Sequence, residues 1–166
     1  WDPHIHAPGT LRNDQFANDW DQYLDAIESA NPAVVALGVT DYFSLRTYEA
    51  VLVHRAAGRL ATVPLIFPNI ELRLTIETKD RQGINIHLLV SPHDPSHVEY
   101  AKEMLARLVF SYREKLYPCA DASLIRLGQV HSNNEKLEEI AARRAGANQF
   151  KVGLTDLRGL FEKDDW

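Results

Sequence analysis

The first six residues of the chain carry a D-x-H-x-H pattern formed by Asp2, His4 and His6. Side chains alternate along a β-strand, so a strand over residues 2–6 places these three on one face. Two imidazoles at that spacing can bind one divalent ion while a carboxylate orients one of the rings. The pattern therefore favours a metal-dependent hydrolase. The alternative is that both histidines lie on an exposed strand and bind nothing.

Three further polar residues fall on strands that are otherwise apolar. Asp41 ends the second predicted strand, Glu71 lies inside the third and His87 lies inside the fourth. A charged Glu in an apolar strand is costly unless it is paired or bound to a metal. Strand ends at one edge of such a sheet converge on the site. The predicted metal ligands are therefore His4, His6, Asp41, Glu71 and His87.

Each of the three strand residues also has a structural alternative. His87 could be a hydrogen-bonded core histidine, and Asp41 could be the N-cap of a helix. Glu71 could form a salt bridge with Arg73 or Arg46. The remaining histidines are assigned structural roles or left outside the site: His54, His93, His97 and His131.

Strands alternate with helices along the chain, which predicts an α/β fold. The strands are predicted over residues 2–6, 34–40, 65–74 and 84–90, with the first, second and fourth running parallel. A helix carrying Phe16 to Ile27 is predicted after Asn13 or Asp14, a second after Ser44, and a third from Asp94 through Tyr112. Shorter helices are predicted over residues 121–127, 133–144 and 155–161, with a brief strand at 150–152.

The composition limits which residues can hold a metal and which kinds of partner the chain can bind. The 166 residues are 45% hydrophobic and carry a net charge of -5, as expected for one globular domain without a broad basic face. A single cysteine, Cys119, excludes both an intramolecular disulfide and a structural thiolate zinc site, so His, Asp and Glu must hold any metal. No apolar run approaches the ~18 residues of a membrane span and no signal peptide is evident, so we expect a cytoplasmic protein.

The two ends of the chain predict a fragment of a longer protein. The sequence begins at Trp1 rather than Met, and it stops at Trp166 just after a predicted helix, where a further strand is expected. We therefore expect more of the protein to lie beyond these residues.

Four segments within residues 2–90 resemble the first motifs of the PHP (polymerase and histidinol phosphatase) superfamily: D-P-H-I-H, G-V-T-D-Y, P-N-I-E-L and I-N-I-H-L-L. More narrowly, G-V-T-D-Y-F-S and F-P-N-I-E-L-R-L resemble the N-terminal PHP-like domain of large bacterial proteins joined to an AAA- or SMC-like ATPase. The resemblance implies a distorted (β/α)7 barrel, incomplete in residues 1–166 and followed by an ATPase region. It also implies up to three zinc, manganese or iron ions and hydrolysis of phosphoester bonds.

The resemblance assigns roles to the predicted ligands. His4 and His6 would bind one ion, Glu71 would bridge ions and His87 would complete the neighbouring site. Tyr42 stands where the family has the histidine ligand of T-D-H, so that metal position is missing or is filled by Asp41. Asp14 is the nearest counterpart of the family's S-D-G aspartate, and the later A-H-P and D-x-H ligands are not found in this chain.

These residues leave three functions open. The first is a metal-dependent phosphoesterase, more narrowly a nuclease, linked to an ATPase that acts on nucleic acid. The second is a non-catalytic PHP-like module that binds nucleotide or nucleic acid, or docks and regulates the attached ATPase. The third, an amidohydrolase barrel, needs a bridging lysine on a strand, whereas Lys79 lies in a polar turn. The sequence identifies neither the catalytic group nor the oligomeric state.

Overall fold

The computed structural model describes residues 1–80 and 82–163. The strands are β1 (Asp2–His6), β2 (Ala36–Tyr42), β3 (Leu65–Glu77), β4 (Gly83–Leu89), β5 (Val109–Tyr112) and β6 (Lys115–Pro118). The helices are α1 (Trp20–Glu28), α2 (Arg46–Ala56), α3 (His97–Arg107), α4 (Asp121–His131), α5 (Glu139–Gln149) and α6 (Leu154–Lys163). These residues form two compact units, one made of Trp1–Ile70 and Leu88–Val98, and the other of Glu71–His87 with the described residues from Glu99 onward.

The first unit is built on parallel strands. β1 pairs with β2 in parallel, and His6 lies opposite Thr40. The backbone N–H of Leu65 donates to the carbonyl of Val35 at 3.4 Å, which joins the starts of β3 and β2. Because both strands begin at this bond and α2 connects them, they run in the same direction. Every residue of β2 from Leu37 onward is buried, as predicted from its apolar run.

β4 runs antiparallel to β3, so the prediction that it is parallel to the first two strands is wrong. The sheet order is β1-β2-β3-β4. Thr78 donates from its backbone N–H to the carbonyl of Gln82 at 2.8 Å, and Val90 donates to the carbonyl of Pro68 at 3.1 Å. The polar turn between the strands is too short for the crossover that a parallel pair requires. Arg81, within that turn, lies outside the described residues.

Helix α1 starts later than its apolar periodicity indicated. It begins at Trp20, and its N-cap is Asp19, whose side chain accepts from the backbone N–H of Gln22 at 2.9 Å. The predicted caps, Asn13 and Asp14, lie in the loop before it. An aspartate immediately before Trp20 caps the helix because its carboxylate reaches the exposed N–H groups of the first turn.

The helix predicted to extend through Tyr112 ends at Arg107, and the chain then forms the β5–β6 hairpin. The two turn residues, Arg113 and Glu114, have φ angles of 49° and 62°. Turns of this kind usually carry Asn-Gly, which tolerates positive φ. Arg-Glu gives no such signal, so the sequence pattern missed this hairpin.

The later elements of the second unit follow the prediction with shifted boundaries. The brief strand expected near residues 150–152 is reduced to a parallel bridge between Val152 and Leu74. The helix predicted over residues 133–144 is α5, which starts at Glu139. α4 and α5 cross closely because Gly128 and Gly146 bring each backbone against the other helix.

The described residues therefore form a mixed α/β fold, as the alternation of elements predicts. The seven-stranded barrel that the resemblance implies stays a prediction. Among residues 1–80 and 82–163, no helix has the length and apolar character needed to cross a membrane.

Candidate metal centre

Two residues fix the position of β1 beside the rest of its unit. Gly38 on β2 faces Pro3, and a Cβ at position 38 would collide with the Pro3 carbonyl. Asn69, which is 2% exposed, donates from Nδ2 to that same carbonyl at 2.6 Å. The backbone is therefore held immediately before His4.

The histidines of β1 lie on one face and approach each other closely, as predicted from strand alternation. The Nε2 atoms of His4 and His6 are 3.1 Å apart, and their rings meet edge to face. His4 is exposed and His6 is half-buried. The carboxylate of Asp2 accepts from the backbone N–H of His4 at 3.0 Å, whereas the sequence predicted that it would orient an imidazole.

Tyr42 packs on the ring of His6. The two rings are stacked, with centroids 5.5 Å apart and planes 12° from parallel. Tyr42 is 4% exposed, and its phenol oxygen accepts from Nδ2 of Asn13 at 3.1 Å. Tyr42 thus supports a predicted ligand through the face of its ring.

Asp41 anchors the loop that follows β1. It is 1% exposed, and its Oδ1 accepts from the Thr10 hydroxyl at 3.1 Å, from Leu11 N at 3.4 Å and from Tyr42 N at 2.8 Å. It is not the N-cap of α2, which begins at Arg46. Its carboxylate therefore holds the end of β2 against the loop beyond His6.

Glu71 and His87 lie on the same face of the β3–β4 hairpin. Nδ2 of Asn85 donates to Oε1 of Glu71 at 2.6 Å. Asn85 and His87 are two residues apart on β4, so their side chains share a face. Glu71 is 4% exposed, whereas His87 is exposed on β4, the last strand in the order of the sheet.

The predicted ligands divide between the two units. His4, His6 and Asp41 lie in the first, and Glu71 and His87 lie in the second. Within the first unit the two imidazoles of β1 approach each other, and within the second Glu71 and His87 share a face of the hairpin. Imidazole nitrogens and carboxylate oxygens are donors suited to zinc and other transition metals.

Asp14, the nearest counterpart of the family's S-D-G aspartate, has a local role. Its carboxylate accepts from the backbone N–H groups of Gly9 at 3.0 Å and Asn18 at 3.1 Å. These bonds close the loop between β1 and α1.

Three of the other histidines have aromatic partners, and structural roles were predicted for two of them, His54 and His97. His54 stacks on Trp20 with ring centroids 4.8 Å apart. Nε2 of His97 lies 2.9 Å from the Tyr48 hydroxyl. His131, which the sequence left unassigned, lies 3.2 Å from the hydroxyl of Tyr112.

The sequence pattern missed three residues that support the candidate ligands, namely Thr10, Asn69 and Asn85. A signal for the two asparagines was present, because each precedes a predicted ligand by two positions, in P-N-I-E and I-N-I-H. Strand alternation places residues at that spacing on one face. Thr10 had no such signal, since it lies in a loop.

Comparison of the chain with protein-family models, with curated proteins and with solved structures gives no match. The functional assignment therefore depends on the residues of the site and on the motifs that contain them.

Proposed function

We propose that this chain is a metal-dependent phosphoesterase, more narrowly a nuclease, in which His4 and His6 hold a divalent zinc, manganese or iron ion. The observation that carries the proposal is the approach of their Nε2 atoms to 3.1 Å on one face of β1. Glu71 and His87 are proposed as further ligands because they lie in the P-N-I-E-L and I-N-I-H-L-L motifs.

The donor set supports a catalytic rather than a purely structural ion. Two protein imidazoles leave coordination positions of an ion open, as catalytic zinc sites do, whereas structural sites are closed by four protein ligands. When bound, an ion of this kind activates water and polarises a phosphoryl oxygen. The histidines then act as ligands rather than general bases, and Asn85 orients the buried carboxylate of Glu71.

The phosphoester substrate and the partners are proposed from the motifs. The D-P-H-I-H, P-N-I-E-L and I-N-I-H-L-L segments that supply the ligands are those that resemble the PHP superfamily. A linked ATPase region acting on nucleic acid is proposed from the same resemblance, as are up to three ions. The His4–His6 pair supports the first ion.

A second candidate function is a non-catalytic PHP-like module that binds nucleotide or nucleic acid, or that docks and regulates an attached ATPase. Tyr42 favours it. This residue stands where the family has a histidine ligand, it is buried, and its phenol oxygen accepts a hydrogen bond from Asn13. A site in which one ligand is replaced can bind an ion and still lack the full set of ligands needed for turnover.

Hydrolysis of bis(4-nitrophenyl) phosphate by the chelator-stripped chain, reloaded with Mn²⁺ or Zn²⁺, tests the proposal. We expect metal-dependent turnover that falls by on the order of 100-fold or more in His4→Ala and in His6→Ala, since each removes a ligand. His93→Ala is the matched control, because His93 is an exposed histidine in the turn before α3.

The outcome separates the two candidates. Turnover lost in the ligand variants and kept in His93→Ala supports the phosphoesterase. Metal binding without turnover on this substrate, nucleotides, single strands or duplex DNA supports the non-catalytic module. Circular dichroism of each variant confirms that the fold is intact.

A further inference from the structure

We propose that Thr10, held by Asp41, is a positioning residue for His6: it fixes the tautomer with the proton on Nδ1, so that the unprotonated Nε2 is the nitrogen that binds a metal. This inference deepens the proposed function and depends on it for the identity of the bound group. The three side chains form a series from Asp41 through Thr10 to His6, all within the first unit.

The direction of the hydrogen bond between Asp41 and Thr10 follows from the neighbouring donors. Oδ1 of Asp41 also receives the backbone N–H groups of Tyr42 at 2.8 Å and Leu11 at 3.4 Å, and a backbone N–H can only donate. Oδ1 is therefore an acceptor. The Thr10 hydroxyl, 3.1 Å away, must donate its single hydrogen to it.

The tautomer of His6 follows from that direction. Oγ1 of Thr10 lies 3.5 Å from Nδ1 of His6, at the long end of hydrogen-bond distances. Because the hydroxyl hydrogen is committed to Asp41, Oγ1 can only accept, so Nδ1 carries the proton. A neutral imidazole has one N–H, and Nε2 is therefore the nitrogen that carries the in-plane lone pair. That atom is the one facing His4.

The surroundings make this arrangement rigid. Thr10 is 2% exposed and Asp41 is 1% exposed, so water has little access to compete for their hydrogen bond. Tyr42 stacks on the His6 ring and fixes its plane. A metal-binding histidine typically donates its second N–H to an acceptor that sets its tautomer and orientation, and Thr10 supplies that acceptor.

The test compares Thr10→Val, which removes the hydroxyl at nearly constant volume, with Thr40→Val. Thr40 is a matched control, because it is 0% exposed, precedes Asp41 on β2 and has a hydroxyl with no hydrogen-bond partner among the described residues. Thr10→Ser restores a hydroxyl and should restore the wild-type behaviour. A role limited to closing the loop would leave the tautomer of His6 unchanged.

Long-range ¹H–¹⁵N correlation spectra of the metal-free chain at a pH of about 8, above the ordinary histidine pKa of ~6.5, report the tautomer directly. We expect His6 to carry its proton on Nδ1 in the wild type, in Thr40→Val and in Thr10→Ser, and to become a mixture in Thr10→Val. Zinc affinity should fall by roughly 10-fold in Thr10→Val and stay unchanged in Thr40→Val.

An Nε2–H tautomer in the wild type, or the same tautomer in a folded Thr10→Val, overturns the proposal. Should Thr10→Val fail to fold, the wild-type spectrum and the Thr10→Ser spectrum decide it. An Nδ1–H tautomer in a chain that binds no zinc would instead show that the positioning is present and that the proposed metal function fails.

Discussion

Asn85 donates a hydrogen bond from Nδ2 to Oε1 of Glu71 at 2.6 Å, which links an exposed amide on β4 to a buried carboxylate on β3. Glu71 is 4% exposed, and a carboxylate at that depth needs polar partners to offset its lost hydration. Asn85 supplies one of them and directs one oxygen of the carboxylate. The second oxygen can then be offered to an ion.

Asn85→Ala should destabilise the chain because it leaves a buried acceptor of Glu71 without this donor. We expect the free energy of unfolding to fall by about 1–3 kcal/mol, measured by urea denaturation. In a double-mutant cycle with Glu71→Gln, the two changes should be non-additive, since the residues share one hydrogen bond. Additive effects, or a stability equal to that of the wild type, would contradict this role.

Gly38→Ala should displace β1. The new Cβ would overlap the carbonyl of Pro3, and backbone cannot yield as a flexible side chain does, so we expect a loss of about 1–3 kcal/mol in unfolding free energy. Gly83→Ala is the matched control, because a Cβ at that strand position meets nothing within 4 Å. Its stability should change by less than ~0.5 kcal/mol. Equal effects of the two substitutions would show that the approach of Gly38 to Pro3 is unimportant.

Strand periodicity predicted that His4 and His6 lie on one face of β1, and their Nε2 atoms are 3.1 Å apart. Glu71 and His87 were chosen because they are polar residues within apolar strands, and their role as ligands stays a prediction. The direction of β4 did not follow from its composition, since an apolar run has no direction. The direction of β4 follows from its short connection to β3, because a short turn can join only antiparallel strands. The sequence indicated this turn, but the predicted direction of β4 did not take its length into account.

Residues whose role depends on contacts distant in sequence were not predictable in this way. Asp41 was assigned as a candidate ligand, whereas in the structure its Oδ1 binds Thr10 and two backbone N–H groups. Thr10 lies in an irregular loop, and its distance from Asp41 depends on how that loop folds over β2. The turn at Arg113 and Glu114 similarly adopts positive φ without the residue types that indicate it.

The ion pair between Glu28 and Arg59 should make stability depend on pH. Hydrogen bonds from the Arg59 guanidinium and from the backbone N–H of Leu60 hold the pKa of the Glu28 carboxyl below its usual value. A lowered folded-state pKa stabilises the fold above the unfolded pKa of about 4.3, and that contribution is lost as the pH falls through the folded value.

The measurement is the difference in unfolding free energy between the wild type and Glu28→Gln across the acidic range. The wild type should lose its advantage as the pH falls from about 5 toward 3, because Glu28 becomes protonated and the variant has no charge to lose. Added salt should reduce the difference at neutral pH, since the pair is on the surface. A difference independent of pH would contradict the role assigned to this pair.

The central claim is that His4 and His6 bind one metal ion, and isothermal titration calorimetry of Zn²⁺ into the chelator-stripped chain tests it most directly. We expect binding to the wild type and to His93→Ala, and an affinity lower by on the order of 100-fold or more in both His4→Ala and His6→Ala. Failure of the wild type to bind, or equal binding by all four proteins, would contradict the claim.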